Sequence, residues 1–123
     1  MLGHGTPDGL LGFYRLVIDK FHADLLRTKE CVGIWCNADM FFTKYNLKGF
    51  YSGMIISEYD EALIFNIHTN NIELLKSNTL LATAVKQSID SDNIVFNVKK
   101  IYKGDEPVIR FNEKNLFYKS VLV

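Results

Sequence analysis

Cys36 and His4 are the residues of this chain whose types do covalent and proton chemistry in settings that suit it. Cys36 closes the apolar run Cys31-Val32-Gly33-Ile34-Trp35 and is followed by the polar Asn37 and Asp39. A run of that kind reads as a buried parallel strand. Met40, Phe41, Phe42 and Tyr45 then fall at helical spacings, so the cysteine lies between the carboxyl end of a strand and the amino end of a helix. Ligands and catalytic groups of open α/β sheets collect at that edge. The helix dipole and the N–H groups of the first turn favour a thiolate there, and the thiolate is the nucleophile. His4 stands in an opening rich in turn formers, Gly3-His4-Gly5-Thr6-Pro7-Asp8-Gly9. A glycine on either side lets the backbone approach another group closely and leaves the imidazole accessible.

Plainer readings stand beside these. A small buried hydrophobe explains Cys36 as well, and explains Cys31 better. A loose chain end explains His4. Cys31 and Cys36 point to opposite faces of one strand and lack the CxxC spacing, so neither a disulfide framework nor a zinc or redox motif is expected. His22 on an amphipathic helix and His68 at a helix break read as surface or capping residues. Neither forms a metal set with the cysteines, and no metal or cofactor is expected.

The 123 residues suit one domain over 1–123, and a 48% hydrophobic content is enough for a real core. Fourteen basic residues balance fourteen acidic ones, which argues against a nucleic-acid binder and makes self-association plausible. Lys99, Lys100 and Lys103 read as the solvated face of a strand rather than a nucleic-acid stripe. No basic start leads into an apolar signal segment, and no apolar run is long enough for a bilayer, so a cytoplasmic chain with reduced thiols and no membrane partner is expected.

The elements that must position Cys36 and His4 follow in order. Tyr14–Asp19 reads as a strand, and a helix from Asp19 or Lys20 to Lys29 carries Phe21, Leu25 and Leu26 on one stripe. The strand Cys31–Trp35 and the helix from Asn37 to Tyr45 come next, then a strand over Phe50–Ile56. Ser57 reads as the N-cap of a helix to Ile67. A helix from Asn71 or Ile72 to Ser88 carries Ile72, Leu75, Thr79, Ala82 and Val85 on one face. Ile94–Tyr102 alternates and reads as a strand, Val108–Phe111 as a short strand, and the tail from Phe117 as an edge strand. The order predicts an α/β layered sandwich with a mainly parallel sheet.

His4-Gly5 after an apolar stub, together with Cys36 at a strand end, resembles the His-Gly and strand-end Cys of the caspase-like cysteine peptidases, the superfamily of the gingipains, clostripain, separase and the bacterial CHAT peptidases. The separation from residue 4 to residue 36 suits two successive strands joined by a crossover. Lys48-Gly49-Phe50-Tyr51-Ser52-Gly53-Met54-Ile55-Ile56-Ser57-Glu58 resembles the next strand and helix start, so the likeness covers residues 1–66. The resemblance implies a caspase-like domain with a Cys–His dyad acting on a peptide or protein substrate. Cys36 would attack the peptide carbonyl, His4 would protonate the leaving amine, and the backbone N–H groups of Gly5 and Cys36 would form the oxyanion hole. Such enzymes cut after one residue held in a charged or polar pocket, and Asp8, Asp39 or Glu58 would suit a basic one.

The chain departs from that pattern in two places. Caspase-like domains carry further strands before the His-Gly strand, and only Met1-Leu2-Gly3 precede His4. Asn37-Ala38-Asp39 stands where many active members have an Arg-Gly or Ser/Thr-Gly ending. Three readings stay open: a fragment, a stand-alone degenerate relative, and a homodimer that completes its own sheet. The rival function is a non-catalytic protein-interaction module of the same fold, using the sheet edge that the missing strands would leave. A nucleotide-binding domain is disfavoured, because neither GxGxxG nor GxxxxGK[ST] occurs.

Overall fold

The computed structural model describes residues 3–11 and 16–120. They divide into two units: one runs to Ile55 and resumes at Asn115, and the other spans Ile56–Lys114.

The first unit opens on an antiparallel meander of β1 (Gly5–Thr6), β2 (Gly9–Leu11) and β3 (Leu16–Ile18). Of the strand expected from Tyr14 to Asp19, Leu16–Ile18 forms β3, while Tyr14 and Arg15 lie outside the described residues. A 3-10 turn at Lys20–His22 leads into α1 (Ala23–Arg27). The Asp19 carboxylate accepts from the Phe21 N–H at 3.0 Å, and the Asp19 N–H donates to His22 Nδ1 at 3.2 Å. His22 thus has the capping role expected of it.

β4 (Glu30–Gly33), α2 (Ala38–Lys44) and β5 (Lys48–Ser52) make a β-α-β unit, with Cys31 opposite Gly49 and Gly33 opposite Tyr51 in a parallel register. β6 (Leu116–Lys119) pairs antiparallel with β5, so the sheet order is β4-β5-β6. The architecture is α/β, but the expected mainly parallel sheet is a small mixed one beside a wholly antiparallel one. Connection length explains most of this: the crossover through α2 allows a parallel pair, whereas the turn between β1 and β2 permits only antiparallel pairing. Trp35, Phe41, Phe42 and Leu47 are buried with Leu10, Cys31 and Ala38 in one cluster between α2 and the strands. The Arg27 guanidinium closes the end of α2, donating from Nε and one terminal nitrogen to the Tyr45 carbonyl at 3.0 and 2.9 Å.

The second unit is helical: α3 (Tyr59–Ile64), α4 (Asn71–Ser88), α5 (Ile94–Ile101) and α6 (Pro107–Glu113). Glu58 rather than Ser57 is the N-cap of α3. Ser57 instead uses its N–H and hydroxyl to hold Glu61 Oε1, at 2.9 and 3.1 Å. The bounds of α4 agree with the sequence reading, and Asn70 caps it through the Glu73 N–H at 2.9 Å. Its inward face differs. Leu74, Ser77, Leu81, Ala84, Val85 and Ser88 are buried, while Ile72 and Leu75 are 82% and 68% exposed. Ser77 can turn inward because its hydroxyl shares a 2.7 Å hydrogen bond with the Tyr102 hydroxyl.

The two strands expected near the carboxyl end are helices. Ile94, Val98 and Tyr102 are buried four residues apart and Phe96 is exposed, so helical spacing prevails over the alternation. Asn93 caps α5 by accepting from the Phe96 N–H at 3.3 Å, and Lys99 and Lys100 lie in its last turn, where the helix dipole favours cations. Pro107 occupies the first turn of α6, which buries Val108, Ile109 and Asn112. Among the described residues, no helix is long and apolar enough to cross a membrane.

Tyr102 gives the second unit an alkaline signature. Burial raises its phenol above the ordinary 10.0, against the pull of its hydrogen bonds to Ser77 and Asn112. The unfolded chain therefore loses this proton at a lower pH than the folded one. The associated stability is complete below pH 10 and is lost as the pH rises through the higher folded value. Tyr102→Phe is expected to flatten that alkaline limb in urea midpoints measured against pH. It should also cost about 1–2 kcal/mol at neutral pH, because Ser77 and Asn112 lose a partner.

Candidate functional site

Cys36 sits in a turn that the sequence dictates. The apolar strand ends, Asn37 takes the left-handed conformation at φ 65°, and α2 begins at Ala38. Asparagine is among the few residues that enter that region readily. The turn is held from the segment at and after β5. The Trp35 carbonyl accepts from the buried Ser52 hydroxyl at 2.9 Å and from the Ala38 N–H at 3.1 Å. The Asn37 N–H donates to the Gly53 carbonyl at 3.0 Å, and the Gly53 N–H to the Asn115 carbonyl at 2.8 Å. Cys36 is half-buried, and its thiol donates to the Ile55 carbonyl at 3.3 Å.

Cys31 is a different kind of cysteine. It is buried, its thiol points to the Leu26 and Lys29 carbonyls at 3.3 and 3.6 Å, and burial pushes its pKa up. A raised thiol pKa lowers the thiolate fraction, so Cys31 serves packing.

His4 is exposed, on a chain segment lying beside the residues that lead into Cys36. The Gly3 N–H donates to the Ile34 carbonyl at 3.1 Å, and the Trp35 indole N–H donates to the Thr6 carbonyl at 3.0 Å. Residues 3–6 therefore run beside residues 34–35. The direction of the Gly5 N–H follows from strand alternation. The Leu11 N–H bonds the His4 carbonyl at 2.8 Å, which makes the neighbouring Gly5–Leu10 pair a non-hydrogen-bonded one. The Gly5 N–H then points away from β2, to the side on which Gly3 meets Ile34.

The three acidic candidates occupy different places. Asp8 lies exposed in the β1–β2 turn, 3.9 Å from the Lys44 ammonium. Asp39 is half-buried in the first turn of α2, and its Oδ1 is buried with no hydrogen-bond partner among the described residues. Burial first, and then the Asp39 charge, raise the Tyr51 phenol. Glu58 belongs to the second unit, at the start of α3. The structure thus sets the His4–Gly5 and Cys36 segments side by side, keeps Asp39 on the turn after Cys36, and assigns Glu58 to capping.

Two contributors escaped the sequence reading. Ser52 reads there only as a small residue permitting close approach, yet its hydroxyl holds the peptide before Cys36. Trp35 reads as core, and its ring is core, but its N–H reaches the His4 segment. A small hydroxyl residue between Tyr51 and Gly53 in a largely apolar stretch was the available signal for Ser52. Among the described residues, no group of three or more His, Cys, Asp or Glu could hold a metal ion. The chain matches no family model, no curated protein and no solved structure.

Proposed function

We propose that this chain is a caspase-like cysteine hydrolase domain acting on peptide bonds, with Cys36 as nucleophile and His4 as its proton carrier. The observation that carries the reading is the pair of hydrogen bonds, Gly3 N–H to the Ile34 carbonyl and Trp35 indole N–H to the Thr6 carbonyl, that lays the His4–Gly5 segment beside the residues leading into Cys36, the side to which strand alternation turns the Gly5 N–H. The Cys36 thiolate adds to the substrate carbonyl carbon, and the resulting oxyanion takes hydrogen bonds from the Gly5 and Cys36 N–H groups. His4 delivers a proton to the leaving amine as the C–N bond breaks. Water then attacks the thioester while His4 accepts its proton, releasing the acid and restoring the thiolate. Asp39 supplies the negative charge on the turn after Cys36, so a basic side chain is the preferred partner on the substrate. Asp8 already has Lys44 nearby, and Glu58 caps α3. The chemistry needs a free thiol, which fits a reducing cytoplasm.

Alkylation of Cys36 by iodoacetamide across pH, located by mass spectrometry, tests the reading. The wild-type rate is expected to stay high below neutral pH. His4→Ala should lower the rate near pH 6.5 about tenfold by moving the thiol toward the free range near 8.5. A Cys36 that titrates like a free thiol whether or not His4 is present overturns the reading. A positive result is followed by a peptide-library screen with a basic residue varied at the cleavage position.

One observation favours the rival, a non-catalytic module. β6 stands at one end of the sheet order, with Phe117 and Tyr118 partly exposed. An end strand of that kind pairs with another strand, here one from a second copy of the chain. Sedimentation at rising protein concentration checks it, and a monomer at every concentration removes it.

A further inference from the structure

We propose that Trp35 is a positioning residue for the His4–Cys36 pair, acting through its indole N–H to latch the His4 segment onto the strand that leads into Cys36. The inference rests on the cysteine-hydrolase reading and names the part that would hold that site in register.

Trp35 is the residue before Cys36 and is 1% exposed. Its two ends hold two different pieces of chain. The main-chain carbonyl is gripped by the Ser52 hydroxyl and the Ala38 N–H, which orients the peptide entering Cys36. The side chain reaches the other way. Its N–H donates to the Thr6 carbonyl at 3.0 Å, and its five-membered ring lies directly against Gly5. A Cβ on Gly5 would stand 2.2 Å from Trp35 Cδ1 and 2.6 Å from Cγ, so only glycine lets the His4 strand settle on the indole. One side chain is thus both floor and latch for the strand bearing His4 and Gly5.

The strand itself is short. β1 has two residues, Gly5 and Thr6, paired with a β2 of three. A ladder so short is marginal by itself, and among the described residues the Gly3–Ile34 hydrogen bond and the indole N–H both join its segment to the residues leading into Cys36. A core role needs the aromatic volume and not the N–H. A buried indole N–H needs an acceptor, and here the acceptor belongs to the segment that the proposed chemistry must place.

Trp35 is the single tryptophan of the chain, so its atoms can be changed one at a time. Incorporation of benzothienylalanine in place of tryptophan exchanges the N–H for sulfur and keeps the ring shape. Trp35→Phe is the genetic companion. The measurement is the pH profile of Cys36 alkylation for wild type, His4→Ala, and the analogue with and without His4→Ala. The expected result is that the analogue's profile moves to that of His4→Ala, about tenfold slower near pH 6.5, and that adding His4→Ala to it changes nothing more. Exchange of the Leu11 amide, whose N–H bonds the His4 carbonyl, should accelerate in the same sample. A merely structural indole would lower the melting temperature and leave the profile in place. A His4-dependent wild type with an unmoved analogue overturns this inference alone. A wild type indifferent to His4 overturns the hydrolase reading, and the positioning role falls with it.

Discussion

Gly49→Ala is expected to cost about 4 kcal/mol or more and to dismantle the β4–β5 pair that carries the Cys36 turn. Gly49 has φ 128°, a region that side-chain-bearing residues rarely enter, and it stands opposite Cys31 in the parallel ladder. A Cβ there would lie 1.9 Å from the Cys31 carbonyl oxygen and 2.6 Å from its nitrogen. Both are backbone atoms, so no rotamer change relieves the clash; the strands must separate or Gly49 must change conformation. Either response disturbs Ser52 at the end of the same strand, and with it the hydroxyl that holds the Trp35 carbonyl. Urea unfolding followed by Trp35 fluorescence reads this unit directly. A midpoint within experimental error of wild type would show that the ladder tolerates the methyl group and that the register described here is wrong.

The second large effect is expected at Asn112, in the other unit. Asn112 is a buried polar residue that serves three groups at once. Its carbonyl oxygen accepts from the Ile56 N–H at 2.7 Å, and its amide nitrogen donates to the Ile56 carbonyl at 2.9 Å and to the Tyr102 hydroxyl at 3.1 Å. Asn112→Ala leaves both polar groups of the Ile56 backbone without that partner and opens a void, a loss of about 3 kcal/mol. Asn112→Asp is nearly isosteric, but its carboxylate cannot donate to the Ile56 carbonyl, so it should not rescue. Ser77→Ala removes one of the two groups on the Tyr102 hydroxyl and should cost about 1 kcal/mol. Urea midpoints by far-ultraviolet circular dichroism rank the three. Equal effects for Ser77→Ala and Asn112→Ala would refute the bridging role of Asn112.

The sequence made the centre of the first unit legible because several local signals agree there. The run Cys31–Trp35 stops at a polar turn, the aromatics beyond it have helical spacing, and Asn37 suits the left-handed corner. The bounds of α4 were visible for the same reason and the edge strand at Phe117 appeared from its apolar residues, whereas the cap of α3 fell on Glu58 and not on the expected Ser57. Between them the signals conflict. Ile94, Phe96 and Val98 satisfy an alternating pattern, while Ile94, Val98 and Tyr102 satisfy a helical one, and only packing decides between the two. In α4, Ile72 and Leu75 promised the inward face, but Ser77 could be buried because a tyrosine from α5's end meets it. A hydroxyl's partner across the fold leaves no mark at its own position. The same blindness hid Ser52 and the Trp35 N–H: the candidate pair His4 and Cys36 could be named from residue type and setting, but not the groups that hold their segments.

The order of the strands also bears on how the protein emerges from the ribosome. Residue 49 pairs with residue 119, and the Gly53 N–H that backs the Cys36 turn finds its acceptor at Asn115. All four helices of the second unit are synthesised in between. At translation rates of about 5–20 residues per second, the nascent β4-α2-β5 unit waits several seconds with one side of β5 unpaired. During that interval the helical unit can gather while the thiol's turn lacks its last brace. A newly made chain would therefore complete the brace behind the Cys36 turn only after Asn115 has left the exit tunnel, and truncation just before Asn115 would leave that turn without the Gly53–Asn115 hydrogen bond even with His4 and Cys36 both present.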